Sequence, residues 1–179
     1  GEPIERKILY KTNQGTDAHL ENVKSIADIR PYSSVIIKGT VARAPRTIEG
    51  GHVIFPLSDG QKTIDCAAYE PTRDFRWTVR ELLPGDEIVV SGGVKSGTIN
   101  LEKIEVLKLV DIEKIENPLC PTCDARMESA GKSQGFRCRK CRTKAEEKVK
   151  TKVKRKLENK IYQVPPCAMR HLGKPLVRF

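Results

Sequence analysis

No apolar stretch in the 179 residues approaches the roughly 18–20 needed to cross a bilayer. No secretory signal opens the chain. Rings are scarce, with one Trp, four Tyr and four Phe; a protein that grips single strands by stacking displays more of them. There is no phosphate-cradling glycine loop, no nucleophile–base triad and no convincingly partnered carboxylate pair, so no catalytic residue is assigned in this chain. What is present is a charged, globular composition: 38% apolar and 31% charged residues exclude collagen-like and wholly disordered chains.

The net charge of +10, from 33 Lys and Arg against 23 Asp and Glu, is unevenly spread. Residues 1–119 hold 16 basic and 18 acidic residues, a net of −2, and residues 120–179 hold 17 and 5, a net of +12. A basic module joined to a near-neutral one points to a polyanion surface, with nucleic acid the leading candidate and a solvated charged helix the alternative. The chain begins with Gly1 in mid-pattern, which reads as the C-terminal part of a longer polypeptide.

Residues 1–32 read as a leading segment. Its Asn13-Gln14-Gly15-Thr16-Asp17 run has turn chemistry, and Thr16 or Asp17 is placed to cap a short helix carrying Leu20, Val23 and Ala27. Residues 33–110 show short alternating runs: Val35, Ile37 and Val41, with Gly39 as a kink or bulge; His52 to Leu57; and Thr63 to Tyr69, with Ile64, Cys66 and Ala68 on one face. Phe75, Val79 and Leu82 switch to helical spacing, Pro84-Gly85-Asp86 stops that helix, and strands follow at Ile88–Val90 and Ile99–Leu109, with turns at Gly92-Gly93 and Lys95-Ser96-Gly97 between them. The order β-β-β-α-β-β predicts a mainly β chain built on an OB-fold, a five-stranded barrel with its helix between strands three and four. A generic small barrel or sandwich is the alternative. Residues 111–119 read as a linker. Ala145, Val149, Val153 and Leu157 at four-residue spacing predict a basic C-terminal helix over residues 143–160, followed by an extended, proline-containing tail.

Cys120-Pro121-Thr122-Cys123 and Cys138-Arg139-Lys140-Cys141 are two Cys-x2-Cys pairs separated by 14 residues. Each pair puts two thiolates on one tight turn. Together they supply the closed tetrahedral shell of a structural Zn²⁺, so residues 120–179 are expected to form a zinc ribbon with the basic helix and tail. A redox pair would need a thioredoxin-type βαβ unit, which is missing, and an iron–sulfur cluster is the weaker rival. Cys66 reads as a small core residue; Cys167 has no assigned role.

Phosphate contacts are expected from Arg137, Arg139, Lys140 and Arg142 around the second cysteine pair, and from Lys150, Lys154, Arg155 and Lys156 on the basic helix. Arg43, Arg46 and Lys62 are candidates on the barrel face, and Arg170, His171 and Lys174 in the tail. Tyr69, Phe75 and Trp77 read as core rather than stacking platforms, so structured RNA fits better than a stacked single strand. His52 reads as an inert strand residue, and His19 is left open.

The run Tyr10-Lys11-Thr12-Asn13-Gln14-Gly15-Thr16-Asp17-Ala18-His19-Leu20, the barrel, the four-cysteine ribbon and the tail Gln163-Val164-Pro165-Pro166…His171-Leu172-Gly173-Lys174-Pro175-Leu176-Val177-Arg178 together resemble the C-terminal half of the archaeal tRNA-isoleucine 2-agmatinylcytidine synthetases. The resemblance implies a cytoplasmic ATP-dependent ligase that joins agmatine to the wobble cytidine of an isoleucine tRNA, so that the tRNA reads AUA. It implies Zn as a structural metal, and ATP and agmatine as substrates of the parent enzyme. The partners would be tRNA and the catalytic domains upstream in the same polypeptide, with no membrane. On this reading the chain grips tRNA and lacks the ATP-using domain, while Asn13, Gln14, Gly15, Thr16 and Asp17 are candidates for the agmatine pocket. A stand-alone OB-plus-ribbon nucleic-acid accessory protein is the alternative.

Overall fold

The computed structural model describes residues 3–132 and 134–178. The chain forms two compact units: residues 1–110 with 157–179, and residues 111–156. These units are drawn differently from the expected divisions. The segment expected as a linker and residues 143–156 of the segment expected as a basic helix lie in the second unit, while the rest of that segment, from Leu157, and the tail join the first.

The first unit is a closed barrel. Its strands are β1 (Glu21–Asn22), β2 (Ser34–Val41), β3 (Arg46–Thr47), β4 (Val53–Ser58), β5 (Thr63–Ala68), β6 (Glu87–Lys95) and β7 (Thr98–Lys108), with helix α1 (Phe75–Arg80) between β5 and β6. The five long strands close in the order β2-β6-β7-β5-β4, and β4 returns to β2 through Thr40↔Ser58 and Val41↔Leu57. Of these five strands' pairings, only β5–β7 is parallel. That is the pairing of an OB-fold, with the helix where the β-β-β-α-β-β order puts it. Alternation explains the interior: Val35, Ile37 and Val41 of β2, Val53, Phe55 and Leu57 of β4, and Ile88 and Val90 of β6 are all buried. Cys66 is buried among them, and burial pushes its thiol up. Phe75, Val79 and Leu82 join the same core. Closure depends on Gly39: a Cβ there would lie 2.6 Å from the Ser58 carbonyl and 2.8 Å from Leu57 Cγ, so only glycine lets β2 and β4 meet.

Three expectations in this unit are corrected. The leading helix is absent; a single 3-10 turn, Ile26–Asp28, stands there, capped by Ser25. Gly92-Gly93 is not a turn but lies inside β6, next to a register shift against β7; the hairpin turns at Ser96-Gly97, within the second expected turn. Of the three rings expected in the core, Phe75 is buried, whereas Tyr69 is partly exposed and Trp77 is 58% exposed, with the Arg80 guanidinium 4.2 Å from its ring centroid. His52 does a structural job, accepting the Glu70 amide on Nδ1 and meeting the Tyr69 ring edge-on.

The β4–β5 turn is tied down by Asp59. Its carboxylate accepts the amides of Lys62, Gln61 and Ile26 and the Ser25 hydroxyl. These bonds, the Lys62 amide first, hold its carboxyl well below the usual carboxylate range. A lowered folded-state pKa contributes stability above the ordinary carboxylate pKa, and that contribution fades as pH falls through the folded value. Asp59→Asn should therefore be less stable than the unmodified chain at neutral pH, with the gap narrowing progressively as pH falls below about 4. Urea midpoints across that range check this, and a pH-independent gap would refute it.

The second unit holds β8 (Ile112–Glu116), β9 (Glu128–Ser129), β10 (Phe136–Arg137), β11 (Lys144–Ala145) and β12 (Val149–Val153). Strands β11-β10-β9 form a small antiparallel sheet, and β12 pairs with β8 from Val149↔Glu116 to Val153↔Ile112. The expected basic helix is thus a strand, and the expected linker is its partner. Val149, Thr151 and Val153 are β-branched and alternate with lysines, and a four-residue apolar spacing fits period two as well as period 3.6. Among the described residues, no helix is long and apolar enough to cross a membrane.

The tail returns to the first unit and docks on the barrel. Strand β13 (Ile161–Gln163) pairs antiparallel with β7, Leu157 and Val164 enter the barrel core, and 3-10 turns follow at Pro166–Ala168 and Leu176–Arg178.

Candidate metal centre and nucleic-acid interface

The two cysteine turns are built alike. The amide of Asp124 donates to the Cys120 carbonyl at 2.9 Å, and that of Arg142 to the Cys138 carbonyl at 3.0 Å. Both of these following residues take left-handed backbone, with φ of 52° and 61°. Cys120 N–H donates to the Ala125 carbonyl, and Cys138 N–H to that of Thr143, which closes each loop. The result is a pair of matching knuckles facing each other.

Their four sulfurs all lie within 4.8 Å of one another. Sγ of Cys120 is 3.2 Å from that of Cys141, and Cys123 Sγ lies 3.5 Å from Cys138 and 3.7 Å from Cys141. A tetrahedral Zn²⁺ with bonds of about 2.3 Å needs sulfurs about 3.8 Å apart, whereas a disulfide needs about 2.05 Å. The donor set therefore fits zinc and not a bridge. The hydrogen bond from Cys141, with the Thr122 and Cys123 amides, holds the Cys120 thiol down to about 6. Although the Ala125 amide favours its thiolate, Cys123 is pushed up to about 12 by the thiols of Cys138, Cys120 and Cys141. Four thiolates this close repel one another, and a bound dication removes the conflict. Four sulfurs fill the shell, so Cys120, Cys123, Cys138 and Cys141 form a structural site with no open position. Under it lies a very small core of Met127 and Phe136, with Ala125 and Ala145 against it.

The second unit carries 14 Lys and Arg against seven Asp and Glu, a net of +7. Arg137, Arg139 and Arg142 line one concavity beside Cys138, and Arg139 Nε donates to Glu128 at 2.6 Å. Lys140 is exposed on the second knuckle. On β12, Lys150 pairs with Glu113 at 3.2 Å, and Lys152 with Asp111 at 2.6 Å. Lys154 and Lys156 are exposed beyond the strand, and Arg155 is half-buried. The expected cationic group thus exists, spread over knuckle and ribbon instead of a helix, with Lys150 partly neutralised by its neighbour.

In the barrel unit, Arg43 and Arg46 share a shallow concavity with Ile54, Pro56 and Asp65, and Lys62 sits in the β4–β5 turn. The Asn13–Asp17 run and the tail, at opposite ends of the sequence, are brought together. The amides of Gly15, Thr16 and Asp17 donate to the carbonyls of His171 and Leu172 at 2.9–3.1 Å. Asp17 Oδ1 accepts the Lys174 amide at 2.7 Å, and Oδ2 pairs with Lys103, which is 7% exposed. Beside this clasp, Glu102 takes His19 Nε2 at 2.9 Å and lies 3.4 Å from Arg170 Nε. Gln14, Gly15, Met169, Arg170 and His171 line a cleft there. The residues missed by sequence reasoning are Glu102 and Lys103. Two adjacent charges in a strand read as one inside and one outside, and nothing local says that the tail buries both.

Comparison with known proteins bears on both units. Residues 117–157 match the family described as the TiaS C-terminal zinc ribbon domain. The isoleucine-tRNA 2-agmatinylcytidine synthetase TiaS of Methanosarcina acetivorans is 54% identical over 178 residues, covering 99% of this chain and 42% of that protein. The crystal structure of apo TiaS superposes with a TM-score of 0.84 at 48% identity, over 99% of this chain and 43% of the other. A crystal structure of a TiaS complex with its isoleucine tRNA, AMPCPP and agmatine matches at 41% identity with a TM-score of 0.71, over 99% of this chain and 41% of the other. The chain thus spans about two-fifths of the length of the relatives it matches. With the barrel and the four-cysteine ribbon in one continuous match, the chain belongs to the TiaS family, as its C-terminal part.

Proposed function

We propose that this chain is the tRNA-gripping region of a cytoplasmic, ATP-dependent ligase that joins agmatine to the wobble cytidine of an isoleucine tRNA. The carrying observation is the match over 99% of the chain to a TiaS crystallised with its isoleucine tRNA, AMPCPP and agmatine. The charge supports it: a net of +7 in the 46 residues of the second unit suits a phosphate backbone, and the single ring of that unit, Phe136, is buried, which suits folded RNA read by its phosphates. Zinc, when bound, supplies no chemistry to the substrate; it stiffens the knuckles that carry Arg137, Arg139, Lys140 and Arg142. Lys150, Lys154, Arg155 and Lys156 continue this cationic path, and Arg43, Arg46, Lys62, Arg170, His171 and Lys174 serve the barrel side. ATP binding is assigned to the family's polypeptide outside the matched two-fifths.

Asn13, Gln14, Gly15 and Thr16 are proposed to border the agmatine pocket. Asp17 has both oxygens engaged by Lys103 and the Lys174 amide, so its part is to position that turn.

The folded isoleucine tRNA should outcompete an unstructured oligonucleotide of equal length for the zinc-loaded chain at fixed salt; the reverse order would favour the accessory-protein reading. Replacing the exposed Arg137, Lys140 and Lys154 together with Gln should weaken tRNA binding at least tenfold and reduce the salt slope by about three. Filter binding across a salt series measures both, and an unchanged slope would place the RNA elsewhere.

A further inference from the structure

We propose that a small concavity on the barrel, bordered by Tyr32, Lys95, Asn100 and Arg170, receives one unstacked nucleotide of the bound tRNA. This rests on the tRNA-binding reading above and adds a subsite to it. The first observation is Tyr32. Its ring is 82% exposed, and its backbone sits at φ 63°, a region that bulky residues avoid and glycine or asparagine would occupy more easily. The conformation is enforced: Tyr32 N–H donates to the Val94 carbonyl at 3.0 Å, and Val94 N–H to that of Ser33 at 2.7 Å. A strained turn that holds an aromatic ring out in solvent gains nothing for the core, and such strain collects at ligand sites.

The second observation is independent. Asn100 Oδ1 is buried without a hydrogen-bond partner among the described residues, and Asn100 lines the same concavity as Tyr32. Buried polar atoms are nearly always paired, so an unpartnered Oδ1 leaves nothing to hold the Asn100 amide inward, and the amide is able to turn toward a donor in the concavity. The third is charge. Lys95 is exposed on the rim. The Arg170 guanidinium lies over Gly93, where a Cβ would come within 2.5 Å of Nη2, and its Nη1 is 3.5 Å from the Ser34 hydroxyl. A π face, an amide acceptor and two cations are what a single nucleotide asks for: stacking for the base, a hydrogen bond for its edge, and positive charge for its phosphate.

The test uses the zinc-loaded full chain and isoleucine tRNA transcripts in which 2-aminopurine replaces one unpaired nucleotide at a time. At one position fluorescence should be quenched on binding to the unmodified chain and to Tyr32→Phe. With Tyr32→Ala that quenching should be lost and tRNA affinity should fall about tenfold. Asn100→Leu should lower affinity for the natural base at that position more than for other bases. Thermal melting should show both Tyr32 variants as stable as the unmodified chain, since the ring is exposed. If Tyr32→Ala binds within twofold of the unmodified chain, or weakens binding with no position-specific change in fluorescence, the subsite is refuted while tRNA binding stands. If the unmodified chain binds no tRNA, the broader reading falls and takes the subsite with it.

Discussion

Stripping the metal, or replacing Cys120 with Ser, is expected to unfold residues 111–156 while the barrel keeps its structure. The reason is the size of the second unit's core. Among the described residues, Cys120, Met127, Phe136 and Cys138 form its buried cluster, and two of those four are ligands. A unit of 46 residues, 111 to 156, is near the limit below which domains need a metal, a disulfide or a partner. Structural zinc supplies apparent binding energies of about 10–16 kcal/mol, far more than Met127 and Phe136 contribute by burial, at about 1.5–3 kcal/mol each. The barrel core draws on none of these side chains. Hydrogen exchange after complete chelation should show loss of protection at the Cys138 and Arg142 amides, with the β6–β7 amides unaffected. Native protection at Cys138 in metal-free protein would overturn the structural role of zinc.

The second large effect is expected at the clasp. Asp17→Ala leaves the Lys103 ammonium buried without its carboxylate, and breaking a buried ion pair from one side costs about 3–5 kcal/mol. Lys103→Met should cost less, because Asp17 retains the Lys174 amide and a linear apolar chain fills the space of the lysine stem. The double variant should recover more than half of the single Asp17→Ala loss, a coupling read from urea midpoints in a double-mutant cycle. Exchange at the Gly15, Thr16 and Asp17 amides should rise in the Asp17→Ala protein, because their acceptors are the tail carbonyls of His171 and Leu172. Strictly additive single variants would mean that the pair does not hold the two segments together.

Local pattern carried the barrel. Val35, Ile37 and Val41 alternate, and Phe75, Val79 and Leu82 are spaced as on a helix; each is a statement about a few neighbouring residues, and each is realised in the fold, whereas Gly39, expected as a kink or bulge, is a close approach to Leu57 and Ser58 across the barrel. The cysteine ring was equally legible, since two Cys-x2-Cys turns carry their geometry with them. The stretch 149–153 misled because its apolar spacing suits both a strand and a helix. What decides is Ile112–Glu116, more than thirty residues earlier, and local pattern contains no trace of that pairing. The cysteine ring supplies it: with the sulfurs of Cys120 and Cys141 held 3.2 Å apart, the segments flanking them are kept close enough to pair.

Residue order alone thus determined which side chains are apolar at which period and which thiols can share a metal, because those properties repeat within a few residues. The tertiary structure alone decided that β12 finds β8, that Asp17 meets Lys103 under the tail, and that Tyr32, Asn100 and Arg170 share one concavity. Each of these depends on distance in space between residues remote in the chain, and that distance is set only when barrel closure and metal binding bring the segments together.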